Sequence, residues 1–455
     1  MIFGLIISYL SLQILIGYFI SRRIHSESDY LIGGRQFSTL TIALSLFATW
    51  FGAETCIGTS GAVYLHGLSG GRADPFGYSL CLLLSGLFIA RKIWKSNYLT
   101  LSDFFLDRFG PKTCEIAVWI LSGSSLIWGA AQLRAFGQVM SSLTMLPIEE
   151  TLHYGLLFVV IYTFLGGLAG DIISDVIQAV VITLGLALIS YHLLSASELP
   201  VLDLFQNLNS QRLGLISPHE TWDVRLERWA IPILGSLIAQ EIISRILAAK
   251  NAQSATRACF ISGGIYLLVG SIPVMIGLLG PEFIVVKENH EQFILLLAQK
   301  YLSPLSLSLF VASLMSALLS TIDSILLAVG GLISHNFLIP KFKFKNKLLT
   351  TRIVVVLTAI CAYLLATKFD SIFSILELAS SFGTSGVLVI TIFGLWTKIG
   401  TDESAFLTLL VGTFSTFLFE YLLNSSTPFL LSLLSSIVCF VVLDLRRKNE
   451  TQYSS

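Results

Sequence analysis

The chain has 455 residues, 54% of them apolar and only 12% charged, with a mean hydropathy of +0.80. Such a composition lies outside the usage of soluble domains and excludes a water-soluble globule. With 28 basic against 28 acidic side chains the formal charge is zero, and no basic tail or acidic domain points to nucleic acid.

The first apolar segment, residues 2–20, has no basic residue before it and is followed by Arg22 and Arg23. This is the reverse of a cleavable signal, and the segment reads as a retained first span. About 20 mostly apolar residues cross a hydrocarbon core, and on that template thirteen spans are predicted. They cover residues 2–20, 38–64, 74–94, 114–144, 153–168, 171–193, 228–248, 257–281, 303–336, 349–367, 371–396, 404–423 and 427–445.

Short cytoplasmic loops are enriched in Lys and Arg. With the N-terminus outside and the C-terminus in the cytoplasm, the inner loops hold about twenty of the basic residues and the outer loops about seven. The run Lys341, Lys343, Lys345 and Lys347 is on the inner side of this arrangement. Arg134 is left in the middle of the fourth span, where a charge must face protein or water. The outer loop from 195 to 227 is too short for a catalytic domain. The six cysteines, Cys56, Cys81, Cys114, Cys259, Cys361 and Cys439, read as small buried hydrophobes, not disulfides or metal ligands.

Residues 1–455 therefore read as one transmembrane transporter domain. An extra leading helix at 2–20 precedes a five-helix repeat at 38–193, a second, inverted five-helix repeat at 228–396, and two final helices at 404–445. An odd number of spans per repeat inverts the second copy relative to the first.

Carriers bind solute and ion near the midplane, where the leading helix of each repeat unwinds and frees backbone carbonyls. The second span carries Gly52 and Glu54, which an unbroken lipid-facing helix tolerates poorly; the seventh offers Pro232, Gly235, Gln240 and Glu241. Gly and Pro also serve ordinary helix packing, but intramembrane carboxylates such as Glu54 and Glu241 are rare and usually functional. The ninth span holds the densest hydroxyl cluster, with Ser313, Ser316, Ser320, Thr321, Asp323 and Ser324 at three- and four-residue spacing. Its plainer role is a small-residue packing face. As oxygen donors, however, Ser320 and Thr321 suit sodium, a hard cation like calcium and magnesium. Asp175 and Gln178 open the sixth span, just past Gly166 and Gly167; the alternative there is a helix N-terminal carboxylate facing the cytoplasm.

In order along the chain, Gly33-Gly-Arg35, Ile57-Gly-Thr-Ser-Gly-Ala-Val63, Tyr98-Leu-Thr-Leu-Ser-Asp-Phe-Phe105, Asp107-Arg-Phe-Gly110, Ser174-Asp-Val-Ile-Gln178 and Ala317-Leu-Leu-Ser-Thr-Ile-Asp-Ser324 together resemble the sodium:solute symporter family. The resemblance runs from about Gly33 to Trp396 and implies the inverted five-plus-five fold of the bacterial leucine transporter. Carried across by position, it puts a sodium site on the carbonyls of Ala48 and Phe51 and on Ala317, Ser320 and Thr321. A second ion site would use Asp175, with Asp323 and Ser324 of the ninth span.

Within the family the chain looks most like the choline carriers, through Ala48-Thr-Trp-Phe-Gly52, Gly77-Tyr-Ser-Leu80 and Gly86 to Phe88. That likeness implies a cage of Trp50, Tyr78 and Trp128 around an ammonium group, since a quaternary ammonium donates no hydrogen bond and is held by ring faces. The pattern departs at Ala239, where those carriers have a Trp. Sugar carriers of the family place a glutamate near the position of Pro75, and no acidic residue replaces it there, so the resemblance disfavours a sugar. Interfacial anchoring is the other common use of such aromatics.

The resulting expectation is an all-α integral membrane protein of about thirteen transmembrane helices, in the plasma membrane or bacterial inner membrane. It would be a non-enzymatic symporter with sodium as coupling ion and no other cofactor. Its partners are a small-molecule substrate, the sodium ion and the lipid bilayer, with no nucleic acid. Candidate substrate residues are Trp50, Glu54, Tyr78, Trp128, Gln240 and Glu241. Rival readings are carriage of an amino acid or carboxylate, a solute sensor that kept the carrier fold, and a membrane enzyme using Glu54 or Glu241 as base.

Overall fold

The computed structural model describes residues 2–197, 200, 203–204, 208–217, 220–286, 290–368, 379 and 383–453. Among these residues the architecture is helical throughout, and the only strand-like pairing is a lone bridge between Phe37 and Ala249. Eight helical stretches are long and apolar enough to cross a membrane, and a ninth is made by a bent pair, Trp222–Gly235 with Gln240–Ala248. The protein is a multi-pass membrane protein. The eight do not reproduce thirteen expected spans one for one, because neighbouring spans run on as single helical stretches (Glu54–Lys95, Ile148–Ala196) and others are short. The expected span at 371–396 lies partly outside the described residues; its described helix is Thr384–Trp396.

The elements used below are α1 (Ile2–Ser21), α2 (Thr39–Trp50), α3 (Thr59–His66), α4 (Tyr78–Leu84), α5 (Pro111–Thr144), α6 (Ile148–Ala196), α7 (Trp222–Ala230), α8 (Gln240–Ala248), α9 (Ala252–Phe283), α10 (Pro304–Ile333) and α11 (Lys347–Ala366). Their limits follow from local chemistry. Ser38 caps α2 by accepting from the Thr41 N–H, and Ser303 caps α10 by accepting from Ser306, with Pro304 at the first helical position. α2 stops at Trp50, since Phe51 takes φ −85° and ψ 66° and Gly52 follows. α8 starts only after Ala239, which is non-helical at φ −58° and ψ 132°. The expected second and seventh spans are thus both broken.

α6 has 49 residues. Unbroken, it would measure about 74 Å, more than twice a hydrocarbon core of about 30 Å. The break is Gly167, at φ 52° and ψ −166°. A Cβ there would lie 2.7 Å from the Tyr30 ring and 2.9 Å from the Tyr30 carbonyl oxygen, so the position needs both the backbone freedom and the missing side chain of glycine.

α10 is the central helix, buried over 72% of its most apolar window, and it packs along α6 and α5. Small residues permit the close approach: a Cβ on Gly129 of α5 would meet Ile325 at 3.0 Å, and one on Gly185 of α6 would overlap Ser313 at 2.0 Å. Arg134 faces protein, donating to the Ala366 carbonyl at 3.4 Å. All six cysteines are free; four are buried, but Cys361 is exposed on the outer face of α11, against the expectation that all would be buried.

Gly167→Ala should therefore destabilise the protein by about 1–3 kcal/mol through backbone strain alone, with the Tyr30 clash added. The expected outcome is a lowered melting temperature of the detergent-purified protein, and an unchanged melting curve would contradict this account of the α6 break.

Candidate functional site

The end of α2 is where the site begins. A helix leaves its last carbonyls short of intrahelical donors, and here the Thr49 carbonyl is met by Thr321 of α10 and the Trp50 carbonyl by Tyr266 of α9. The Thr321 hydroxyl donates to the Thr49 carbonyl at 2.8 Å and to its own Ala317 carbonyl at 3.1 Å. Ala48, Phe51, Ala317, Ser320 and Thr321 are all fully buried. Of the five residues expected to supply sodium oxygens, Thr321 is tied to the broken end of α2 through the Thr49 carbonyl, while the Ser320 hydroxyl is turned to Asp175. A Cβ on Gly52 would lie 3.0 Å from Thr321 Oγ1, 3.0 Å from Glu54 Oε2 and 2.7 Å from Gln132 Oε1, so glycine is what lets these three oxygens gather.

One turn deeper lies a charged network. Asp175 of α6 is fully buried, which removes the solvent-facing alternative for it. Its Oδ2 accepts from Ser45 at 2.5 Å, from Arg245 at 3.0 Å and from Thr49 at 3.4 Å, while its Oδ1 accepts from Ser320. Arg245 of α8, 0% exposed, also pairs with Asp171 at 2.7 Å and donates to Ser324. Ser324 in turn donates to Asp171 at 3.0 Å. Asp175 and Ser324 are therefore together, with a guanidinium between them, while Asp323 accepts from Thr163 at 2.6 Å. Arg245 and Asp171 were not among the candidate residues. Arg245 ends its span, where a loop-side arginine is ordinary, and nothing in the spacing distinguishes a buried one.

Above the broken helices opens a cavity of about 1100 Å³ lined by Trp50, Glu54, Asp74, Tyr78, Trp128 and Glu241. The Trp50 and Tyr78 rings meet edge-on, with centroids 5.2 Å apart. Trp128 donates its indole N–H to Glu54 Oε1 at 2.8 Å, and Gln132 donates to Glu54 Oε2 at 2.6 Å. The Gln132 carbonyl oxygen accepts from the Ala53 N–H at 2.8 Å, completing the non-helical turn. Both Glu241 oxygens lack a hydrogen bond of ordinary geometry, with the Ser125 hydroxyl facing them. Ala239 lines the same cavity, so the wall lacking an aromatic is open.

Gln240 does not line this cavity. It accepts from the Leu101 N–H at 2.9 Å and donates to Ser244 at 3.0 Å, joining α8 to the start of the short helix Leu101–Arg108. Asp74, the neighbour of Pro75, lines the cavity although it was not among the candidate residues. Asp74 accepts from Thr55 at 2.5 Å and from Tyr266 of α9 at 3.1 Å, and Tyr266 also donates to the Trp50 carbonyl at 3.0 Å. At the cavity mouth Glu220 bridges Arg72 and Arg228. The Arg72 guanidinium holds the Glu220 carboxyl below its usual range, which keeps this outer ion cluster charged at neutral pH.

A broken apolar helix, a buried oxygen cluster and a vestibule of rings and acids are the parts of a carrier. The family comparison matches residues 30–412 to the sodium:solute symporter family. The chain belongs to that family. It is 26% identical to the high-affinity choline transporter 1 of Drosophila melanogaster over 380 residues, covering 78% of this chain and 59% of that protein. The chain thus spans about three fifths of the length of that relative. It is 25% identical to the sodium/proline symporter of Haemophilus influenzae over 455 residues, covering 92% of this chain and 88% of the other. Its fold matches a Na⁺-coupled sialic acid symporter in a substrate-bound outward-open state, with TM-score 0.83 at 16% identity, over 97% of this chain and 96% of that one. The likeness to the leucine-transporter type of fold is borne out at this level.

Removing Arg245 leaves Asp171 and Asp175 uncompensated in a dry interior, a loss of about 3–5 kcal/mol. Arg245→Met should sharply lower the melting temperature of the purified protein, and adding Asp171→Asn should recover part of it. Equal stability of the single and double variants would show that the ion network does not carry the helix contacts.

Proposed function

We propose that the protein is a sodium-coupled symporter that imports a small organic cation across the plasma membrane, with its N-terminus outside and its C-terminus in the cytoplasm. The observation that carries this reading is adjacency: the buried oxygens at the α2–α10 junction lie directly beneath a cavity whose walls are aromatic rings and carboxylates. Sodium would be held by the carbonyls of Ala48 and Phe51 and by Ala317, Ser320 and Thr321, and the solute by Trp50, Tyr78 and Trp128 with Glu54 and Glu241. Rings and acids both favour a cation, each ring face by about 0.5–2 kcal/mol. Halves 38–193 and 228–396 would act as inverted repeats of a thirteen-span bundle, in keeping with a break in the leading span of each. The guanidinium of Arg245 beside Asp175 supplies a fixed positive charge where a second sodium would otherwise be expected, which favours a single coupled ion.

Sodium drives uptake only if it stabilises the conformation that binds solute well. An ion shared between α2 and α10 does this by holding the broken helix against the intact one. An amino acid is the second reading, supported by the near full-length likeness to the proline symporter. Against it, three carboxylates facing the cavity would repel a solute carboxylate.

Two measurements in proteoliposomes test the proposal. Thr321→Ala removes one hydroxyl and little volume, so uptake should lose most of its sodium activation while the protein stays folded; undiminished activation would remove this residue from the ion site. Ala239→Trp should supply the missing fourth ring and raise choline affinity by about 0.5–2 kcal/mol, read as the half-saturating concentration of sodium-driven choline uptake. A variant with no gain in choline affinity would argue against a quaternary-ammonium pocket and for a solute that fills the space beside Ala239.

A further inference from the structure

Resting on the organic-cation reading is a difficulty that the geometry resolves. Two cations held a few ångströms apart in a low-dielectric site repel each other, so holding both at once costs energy unless an anion attracts each of them. A symporter has to hold both at once.

Glu54 stands at the required place. Its Oε1 accepts from the indole of Trp128, a wall of the solute cavity, and the residue itself lines that cavity. Its Oε2 is turned the other way, toward Gln132 and the α2 break. That oxygen and Thr321 Oγ1 are each 3.0 Å from the point a Cβ on Gly52 would occupy, so they are within about 6 Å of each other. Both hydrogen-bond donors to the carboxylate, Trp128 and Gln132, are neutral. They fix its orientation and leave its charge uncompensated. By contrast, Asp171 and Asp175 are matched by Arg245, and Glu220 by Arg72 and Arg228. Asp74 is tied to Thr55 and Tyr266, and Glu241 is beyond the second break, on α8; neither is among the oxygens gathered with Thr321 at Gly52.

We infer that Glu54 is a shared counter-charge, a single carboxylate whose two oxygens face the sodium site and the organic cation respectively, so that its attraction for each offsets their mutual repulsion when both are bound. The hydrogen bonds from Trp128 and Gln132 keep one oxygen toward each site.

The test uses the full-length purified protein, radiolabelled sodium and choline as the organic cation. In the native protein, sodium should raise choline affinity and choline should raise sodium affinity by the same factor, as linkage demands. Glu54→Gln keeps the size and removes the charge; its NH2 end cannot accept, so one of the two hydrogen bonds from Trp128 and Gln132 is lost as well. It should lower sodium affinity measured without choline, and choline affinity measured without sodium, each by about tenfold or more. Glu54→Asp retains the charge and should recover part of both affinities, which separates loss of charge from loss of fold. A native affinity for either cation in Glu54→Gln overturns the assignment and leaves symport itself standing. If the native protein binds choline equally with and without sodium, the organic-cation symport reading falls and this inference with it.

Discussion

A guanidinium sealed inside a membrane protein has to find carboxylates, and the helices that supply them are tied together as a result. Arg245 belongs to α8, its partners Asp171 and Asp175 to α6, and the hydroxyls that complete the network, Ser45, Ser320 and Ser324, to α2 and α10. Four helices from distant parts of the chain meet at one charge. Two of them, α2 and α8, follow or precede a break in the backbone, so the network anchors the very segments that are otherwise free to move.

The breaks matter because an unwound turn in the bundle exposes backbone carbonyls that would be intolerable in lipid but are useful beside a cavity. α2 ends at Trp50 and its carbonyls are answered by Thr321 and Tyr266. Gly52 then allows Gln132, Glu54 and Thr321 to approach the same point. On the proposed reading, ion ligands and solute walls share one short stretch, Ala48 to Glu54, which faces α10 through the Thr49 carbonyl and Trp128 through Glu54. Any motion that separates α2 from α10 disturbs both at once, which is the mechanical condition for coupling two solutes.

Charge is distributed unevenly between the two levels. At the lower level, Arg245 offsets the nearby acids. At the upper level, Glu54, Asp74 and Glu241 face the cavity, and the arginines among its lining, Arg72 and Arg228, are at its mouth and engaged by Glu220. The vestibule is therefore lined by acids behind a rim whose arginines are paired, in keeping with the cationic solute proposed.

By itself the sequence determined the membrane class, the approximate spans, the broken leading helices and the hydroxyl stripe, because these are properties of local composition and helical spacing. Gly52, Glu54 and the run from Ser313 to Ser324 are legible without any partner. The sequence could not reveal which charges are paired, since Arg245 and Asp171 lie 74 positions apart and each alone looks like a helix-end residue. Nor could it place Asp74 in the cavity, because facing direction near Pro75 depends on how that turn packs against Tyr266. Gln240 shows the converse: its position beside a break suggested a solute ligand, yet its amide is committed to Leu101 and Ser244. Pairing and facing are long-range facts. They are decided by which helices touch, and only the tertiary structure fixes that.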